Sequence, residues 1–228
     1  MAVDIRFLGQ SCFELTAGGT TVLTDPFLTG NPKAAASADE VSPDVILLTH
    51  GHADHLGDTV DIAKRTGATV VAIVELANEL GEAGVENVKD PNYGGTVTFD
   101  WGWVKLVPAW HTAVSPSGTP HMPASLLIHI GDRLVYHLGD TCLFSDMQLI
   151  ARRGDKVDLA LVPIGGHYTM DRFDAVTACE FINPSEVIPC HYDTFPPIET
   201  DAQAFKADVE AATSSEVVVL APGETHTL

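Results

Sequence analysis

The chain has 228 residues, and its 31 acidic against 12 basic side chains give a formal net charge of −19 with the ten histidines neutral. That balance argues against a nucleic-acid backbone or an anionic membrane as the main partner. Hydrophobic content of 45% is ordinary for a globular protein, and no apolar run approaches the roughly 20 residues that span a bilayer. One domain over residues 1–228, with no linker, repeat or low-complexity tract, is the expectation.

Residues 3–8, 12–16 and 20–25 read as three short strands, with Gly18-Gly19 turning the chain between the second and third. The first strand begins almost at once, so no signal peptide is expected. Residues 28–42 are small, polar and aperiodic, as in a surface loop. The apolar run Val45 to Leu48 then reads as a buried strand. It stops abruptly, and His50, His52, Asp54 and His55 follow within six residues, ahead of a helix over 56–66 that Gly67 ends. The cluster therefore sits on a strand-to-helix loop, where open α/β sheets place their ligands. Packing and solvation give no reason to crowd four such groups together. Imidazoles with a carboxylate suit zinc, iron or manganese better than calcium, which takes oxygen shells.

Further on, a strand at 69–74, a helix at 75–83 and a short strand near Val85 precede the turn Asn92-Tyr93-Gly94-Gly95. Strands at 96–100 and 103–110 lead to His111. Residues 112–123, rich in Pro, Ser and Gly, read as a mobile loop at the mouth of a site, with His121 exposed on it. Strands at 124–130 and 133–139 are joined by Gly131-Asp132 and end at Asp140. Of their histidines, His129 reads as an ordinary strand residue, while His137 is balanced between a strand residue and a group supporting the site. A helix near 144–153 and a strand at 157–163 come next, opening into Gly165-Gly166-His167, where paired glycines let backbone approach a ligand. Helix 171–182, strand 186–190 before His191, helix 201–212 and strand 215–221 complete the pattern. Cys12, Cys142, Cys179 and Cys190 show no paired spacing, and their apolar surroundings fit reduced thiols in a cytoplasmic protein.

The His-x-His-x-Asp-His pattern at 50–55 resembles the signature of the metallo-β-lactamase superfamily. The resemblance runs along nearly the whole chain, through Leu23-Thr24-Asp25-Pro26, Pro108-Ala109-Trp110-His111, His137-Leu138-Gly139-Asp140-Thr141 and Ile188-Pro189-Cys190-His191. Gly9-Gln10-Ser11-Cys12-Phe13, Gly165 to Met170 and Cys190 to Pro196 are similar to the branch of small metal-dependent hydrolases around ascorbate-6-phosphate lactonase. The resemblance implies an α/β (α+β) fold, a four-layered αβ/βα sandwich with ligands supplied to one edge by both halves. It also implies two divalent metal ions, zinc first among them, with manganese, iron or nickel as alternatives. His50, His52 and His111 would hold one ion and Asp54, His55 and His191 the other. Asp140 would bridge them, and Asp25 would steady a ligand imidazole from behind.

On that basis the expected activity is hydrolysis of a small ester, lactone or phosphoester by a hydroxide bridging the two ions. Asp54 would orient that nucleophile and take its proton, and His167 would contact substrate or protonate the leaving group. A small-molecule substrate and a homo-oligomer are the expected partners. One competing reading is a diiron redox protein on the same fold. Such proteins carry a carboxylate where this chain has His52, and a flavodoxin-like domain that this chain lacks. The other is a module that binds metal or ligand without catalysis.

Overall fold

The computed structural model describes residues 1–150 and 156–228. Its strands in chain order begin with β1 (Asp4–Gly9), β2 (Cys12–Ala17), β3 (Thr20–Thr24), β4 (Val45–Leu47), β5 (Thr69–Val71) and β6 (Val88–Lys89). There follow β7 (Thr96–Phe99), β8 (Gly102–Pro108), β9 (Ala124–Ile130), β10 (Arg133–His137), β11 (Leu159–Pro163), β12 (Glu186–Cys190), β13 (Glu216–Val217) and β14 (Thr225–Thr227). They form two seven-stranded sheets, ordered β14-β1-β2-β3-β4-β5-β6 and β13-β12-β11-β10-β9-β8-β7. Each sheet is antiparallel in one half and parallel in the other: β14 through β3 and β7 through β10 pair antiparallel, the remaining strands parallel. The two sheets are flanked by helices, giving the expected α/β sandwich.

Alternation along the strands builds the layers. Val135, Leu159, Leu161 and Ile188 join a core that also takes in Ile5, Phe13, Leu15, Ile46 and Leu126 from both sheets. Their neighbours Leu134, Tyr136, Ala160, Val162 and Val187 point the other way, into a second cluster with Ala175, Ile182, Phe205 and Val209. The latter four come from α4 (Arg172–Ile182) and α5 (Ala202–Ala212). A strand buried on both faces shows no apolar/polar alternation, which is why these runs read as continuous in the sequence. Asp171 and Asp201 cap the two helices, each carboxylate accepting two first-turn amides.

Several boundaries differ from the sequence expectation. The helix expected over 56–66 is two pieces, α1 (Ala53–Leu56) and α2 (Thr59–Thr66), broken at Gly57. There φ is +43°, and a β carbon would lie 2.3 Å from the Pro26 carbonyl oxygen, so the chain kinks around the β3 loop. After α3 (Val74–Glu82), the short strand is Val88–Lys89 rather than near Val85. Near 144–153 a 3-10 turn covers Ser145–Leu149, and the end of that expected helix lies outside the described residues. The final strand at 215–221 shortens to β13. The C-terminal β14 was not anticipated, because Thr225-His226-Thr227 carries no apolar alternation and is held by pairing with β1. Among the described residues, no helix is long and apolar enough to cross a membrane.

Candidate metal centre

The strands deliver the predicted residues to one edge. Asp25 follows β3, His50 to His55 follow β4, and His111 follows β8. Asp140 follows β10, and His191 follows β12. All are carboxyl-terminal ends of strands, where backbone pairing has stopped and side chains from two sheets converge. His50, His52 and His111 have ligand atoms within 4.8 Å of one another, as do Asp54, His55 and His191, and also His50, His55 and Asp140. Asp140 stands between the first two groups. Its carboxylate lies 3.6 Å from His111 Nε2, 3.2 Å from His191 Nε2 and 3.3 Å from His55 Nε2.

These groups fit a metal better than they fit one another. His55 Nε2, His191 Nε2 and Asp140 Oδ1 are buried with no hydrogen-bond partner, a costly state that a bound metal would relieve. His50 Nε2 and His52 Nδ1 are 2.9 Å apart, close to the roughly 3.3 Å that two imidazoles span on one tetrahedral zinc.

Behind the cluster, the hydrogen bonds fix which nitrogen faces inward. Asp25 is fully buried and has a φ of +38°. Its Oδ1 accepts the Thr49 amide at 2.8 Å, and its Oδ2 accepts the Thr49 hydroxyl at 2.6 Å and His55 Nδ1–H at 2.8 Å. With its proton spent on Asp25, Thr49 Oγ1 accepts from His50 Nδ1–H at 3.1 Å. One carboxylate thus sets the tautomers of two imidazoles, His55 directly and His50 through Thr49. His191 lacks such a partner: its Nδ1 has none among the described residues.

Charge is distributed unevenly over the cluster. Burial pushes His50 well below its ordinary pKa, with the neighbouring His55 adding to the effect, and burial likewise lowers His52 and His111. For His55 burial acts the same way, but the carboxylates of Asp140 and Asp25 overcome it and carry the group well above its usual value. Burial is outweighed again at His191, which Asp140 raises to about 9. Burial opposes ionisation of Asp54 and Asp140 as well, yet the nearby imidazoles of His191 and His55 hold both carboxyls low.

The remaining histidines have other tasks. His121, expected on the surface, is buried. Its Nε2 accepts the Gly51 amide at 2.8 Å and its Nδ1–H donates to the Thr119 carbonyl at 3.1 Å, so it braces the ligand loop between His50 and His52. The loop carrying it is tied to α3 through Ser115 Oγ and Glu79, 2.7 Å apart, and closed on itself by a Val114–Pro120 bridge, rather than free as expected. His137 is a fastener between sheets: Nε2–H donates to the Ser11 carbonyl and Nδ1 accepts the Gly139 amide. His129 stacks on Trp103. His167 is exposed at the mouth, its ring edge against Tyr168 at 4.5 Å, and Tyr168 is the member of that loop that lines the cleft. The close approach at Gly165 is to backbone, since a β carbon there would meet the His191 carbonyl oxygen at 2.3 Å. Cys12, Cys179 and Cys190 are buried free thiols, but Cys142 is exposed, against the expectation of apolar surroundings.

Gln10, in the Gly9–Phe13 segment, has a role that its sequence neighbours do not signal. Its Nε2–H donates to Asp54 Oδ2 at 3.0 Å, and its backbone carbonyl accepts the His191 amide at 2.8 Å. Its φ of +56° and that of His191, +53°, mark a stretch of backbone bent to suit the site. Thr141 was likewise unassigned. It ties three loops together, accepting Trp110 N–H at its hydroxyl and Met170 N–H at its carbonyl.

Residues 4–191 match the model of the beta-lactamase superfamily domain. This chain belongs to the metallo-β-lactamase superfamily. A metal-dependent hydrolase of Thermus thermophilus is 47% identical over 223 residues, 97% of each chain. One of Methanopyrus kandleri is 47% identical over 230 residues, covering 97% of this chain and 98% of its own. A solved metallo hydrolase of the archaeon Ignicoccus hospitalis superposes with a TM-score of 0.91 at 36% identity, covering 100% of this chain and 99% of its own. Within the superfamily the chain is a metal-dependent hydrolase, with candidate His and Asp clusters for the metal.

Proposed function

We propose that the enzyme hydrolyses a small ester, lactone or phosphoester at a dinuclear centre. One ion would be held by His50, His52 and His111, and a second by Asp54, His55 and His191, with Asp140 shared. The observation that carries this reading is the pair of three-residue groups meeting at Asp140, with buried polar atoms on His55, His191 and Asp140 that no hydrogen-bond partner satisfies. Zinc is the expected ion, since tetrahedral imidazole and carboxylate sites suit it. When bound, two such ions supply Lewis acidity and lower the pKa of a water from 15.7 toward about 7.

The chain's own residues do the rest. Gln10 fixes Asp54 through Oδ2, leaving Oδ1 to orient the attacking water and accept its proton. Asp25 and Thr49 hold the outer nitrogens of His55 and His50 as donors, so the inward nitrogens are the ones that turn to a metal once any proton there is displaced. The cleft over the cluster has a volume of about 420 Å³, the size of a small-molecule site. A larger cavity of about 470 Å³ lies over Trp103, Lys105 and Leu127, away from the cluster, and contains none of the candidate ligands. His167, at the mouth, is the candidate to contact substrate or protonate the leaving group. A His167→Ala enzyme with unchanged turnover would remove it from the mechanism.

The test is elemental analysis of protein purified without chelator or a histidine tag, followed by hydrolysis of aryl esters and phosphodiesters with and without chelator. About two zinc ions per chain and chelator-sensitive turnover support the proposal. Two irons with visible absorbance would favour redox chemistry. Metal without turnover on any substrate would favour a binding module, and no metal after reconstitution would refute the site.

A further inference from the structure

We infer that the cleft selects an uncharged ester or lactone bearing an apolar or aromatic group, and discriminates against phosphorylated substrates. The inference rests on the hydrolase reading above and narrows its substrate. Three aromatic rings, Phe27, Tyr168 and Phe195, stand with Ala53 around the candidate metal ligands. Phe27 and Phe195 lie 6.3 Å apart at a 34° tilt, forming one wall. Tyr168 is 54% exposed, reaching into solvent at the mouth with His167 packed edge-on behind it.

What the walls lack is as telling. Among the described residues, no lysine or arginine lines this cleft, and apart from the Tyr168 hydroxyl its polar side chains are those of the metal cluster itself. Phosphate groups are ordinarily recognised by arginine forks, by lysine or by the amino end of a helix. A phosphate monoester carries between one and two negative charges near neutral pH, and among the described lining residues only the metal site would balance them. That site must also hold the scissile group, so a second, non-reacting phosphate would find no partner. The acidic surface adds long-range repulsion, but with a screening length of about 8 Å at physiological salt the missing local cation is the stronger effect. Aromatic faces, by contrast, favour flat apolar groups through dispersion and offset stacking.

The experiment compares kcat/KM of the zinc-loaded enzyme for para-nitrophenyl butyrate and dihydrocoumarin with that for their counterparts carrying a remote, non-reacting phosphate, para-nitrophenyl 4-(phosphonooxy)butyrate and dihydrocoumarin 7-phosphate. Tyr168→Ala and Phe195→Ala are run beside the wild type, with metal content measured for each. In parallel, acetanilide, an uncharged amide that reacts slowly, is titrated by ligand-observed NMR. We expect the neutral substrates to be preferred at least about ten-fold. Tyr168→Ala should weaken acetanilide about ten-fold, equivalent to about 1.4 kcal/mol, with metal content unchanged. Equal or greater kcat/KM for either phosphorylated ester overturns the inference while leaving the hydrolase reading intact, as does acetanilide binding that neither ring truncation alters. If the protein takes up no metal and turns over nothing, the hydrolase reading fails instead. Ring-dependent acetanilide binding would then still support the aromatic site, and its loss would overturn it.

Discussion

Replacing Asp25 by asparagine changes almost no volume and tests how the centre is organised. Asp25 accepts three hydrogen bonds, from Thr49 N–H, the Thr49 hydroxyl and His55 Nδ1–H. An asparagine can keep its oxygen on the Thr49 amide, but its NH2 then faces His55 Nδ1 and Thr49 Oγ1. His55 can accept that bond only by moving its proton to Nε2, the nitrogen 3.3 Å from Asp140. The lone pair meant for a metal is then lost, and Thr49 no longer holds the His50 tautomer. Losing the charge-assisted bonds costs about 1.5–3 kcal/mol each in the worst case. Loss of an outer partner of a ligating histidine typically weakens metal binding about 10–100-fold, or about 1.4–2.7 kcal/mol. Zinc competition against a chromogenic chelator at fixed pH, with a thermal melt of the metal-free protein alongside, reads both effects. Zinc affinity within about two-fold of wild type would refute the tautomer argument.

Metal uptake should release protons. His55 and His191 lie above their ordinary values, His191 at about 9, so the metal-free cluster carries protons at pH 7 that metal must displace. Binding requires neutral imidazoles, so protons should leave on metal uptake at pH 7 and fewer as pH passes about 9, with apparent affinity rising over that window. Calorimetry in buffers of different ionisation enthalpy measures this, and zero release at pH 7 would contradict it. Gly51→Ala places a β carbon 2.8 Å from His121 Cε1 and 2.9 Å from Leu76 Cδ1, which should destabilise the protein by about 1–3 kcal/mol and reduce retained metal. His121→Ala relieves that crowding but leaves the Gly51 amide unpaired, at about 1–3 kcal/mol; melting and metal content of both variants check the pair. Phe13→Ala removes a fully buried ring stacked on Phe7 and set edge-on to His137, and denaturant unfolding should show a loss of about 3–5 kcal/mol.

Where sequence reading succeeded, the signal was local and chemical. Val45 to Leu48 followed by His50, His52, Asp54 and His55 places candidate ligands at a strand end whatever surrounds it, because an apolar run must be buried and unpaired imidazoles must not be stranded inside it. Where it failed, the deciding contact was distant in the chain. His121 looked like a loop residue because its partner, Gly51, is 70 positions away. Gln10 meets Asp54 across 44 positions, and His137 meets Ser11 across 126. The kink at Gly57 depends on the carbonyl of Pro26, and β14 exists only because β1 offers it an edge.

The sequence by itself therefore determined the residue types of the centre, their order and the strand ends that carry them, since hydrophobic runs and turn chemistry act over a few residues. Only the tertiary structure decided that His121 and His137 brace the site, which nitrogen His50 and His55 turn inward, and that aromatic rings, with no lysine or arginine among the described lining residues, wall the cleft. Those properties belong to side chains brought together by two sheets closing on one core, and spacing along the chain does not encode them.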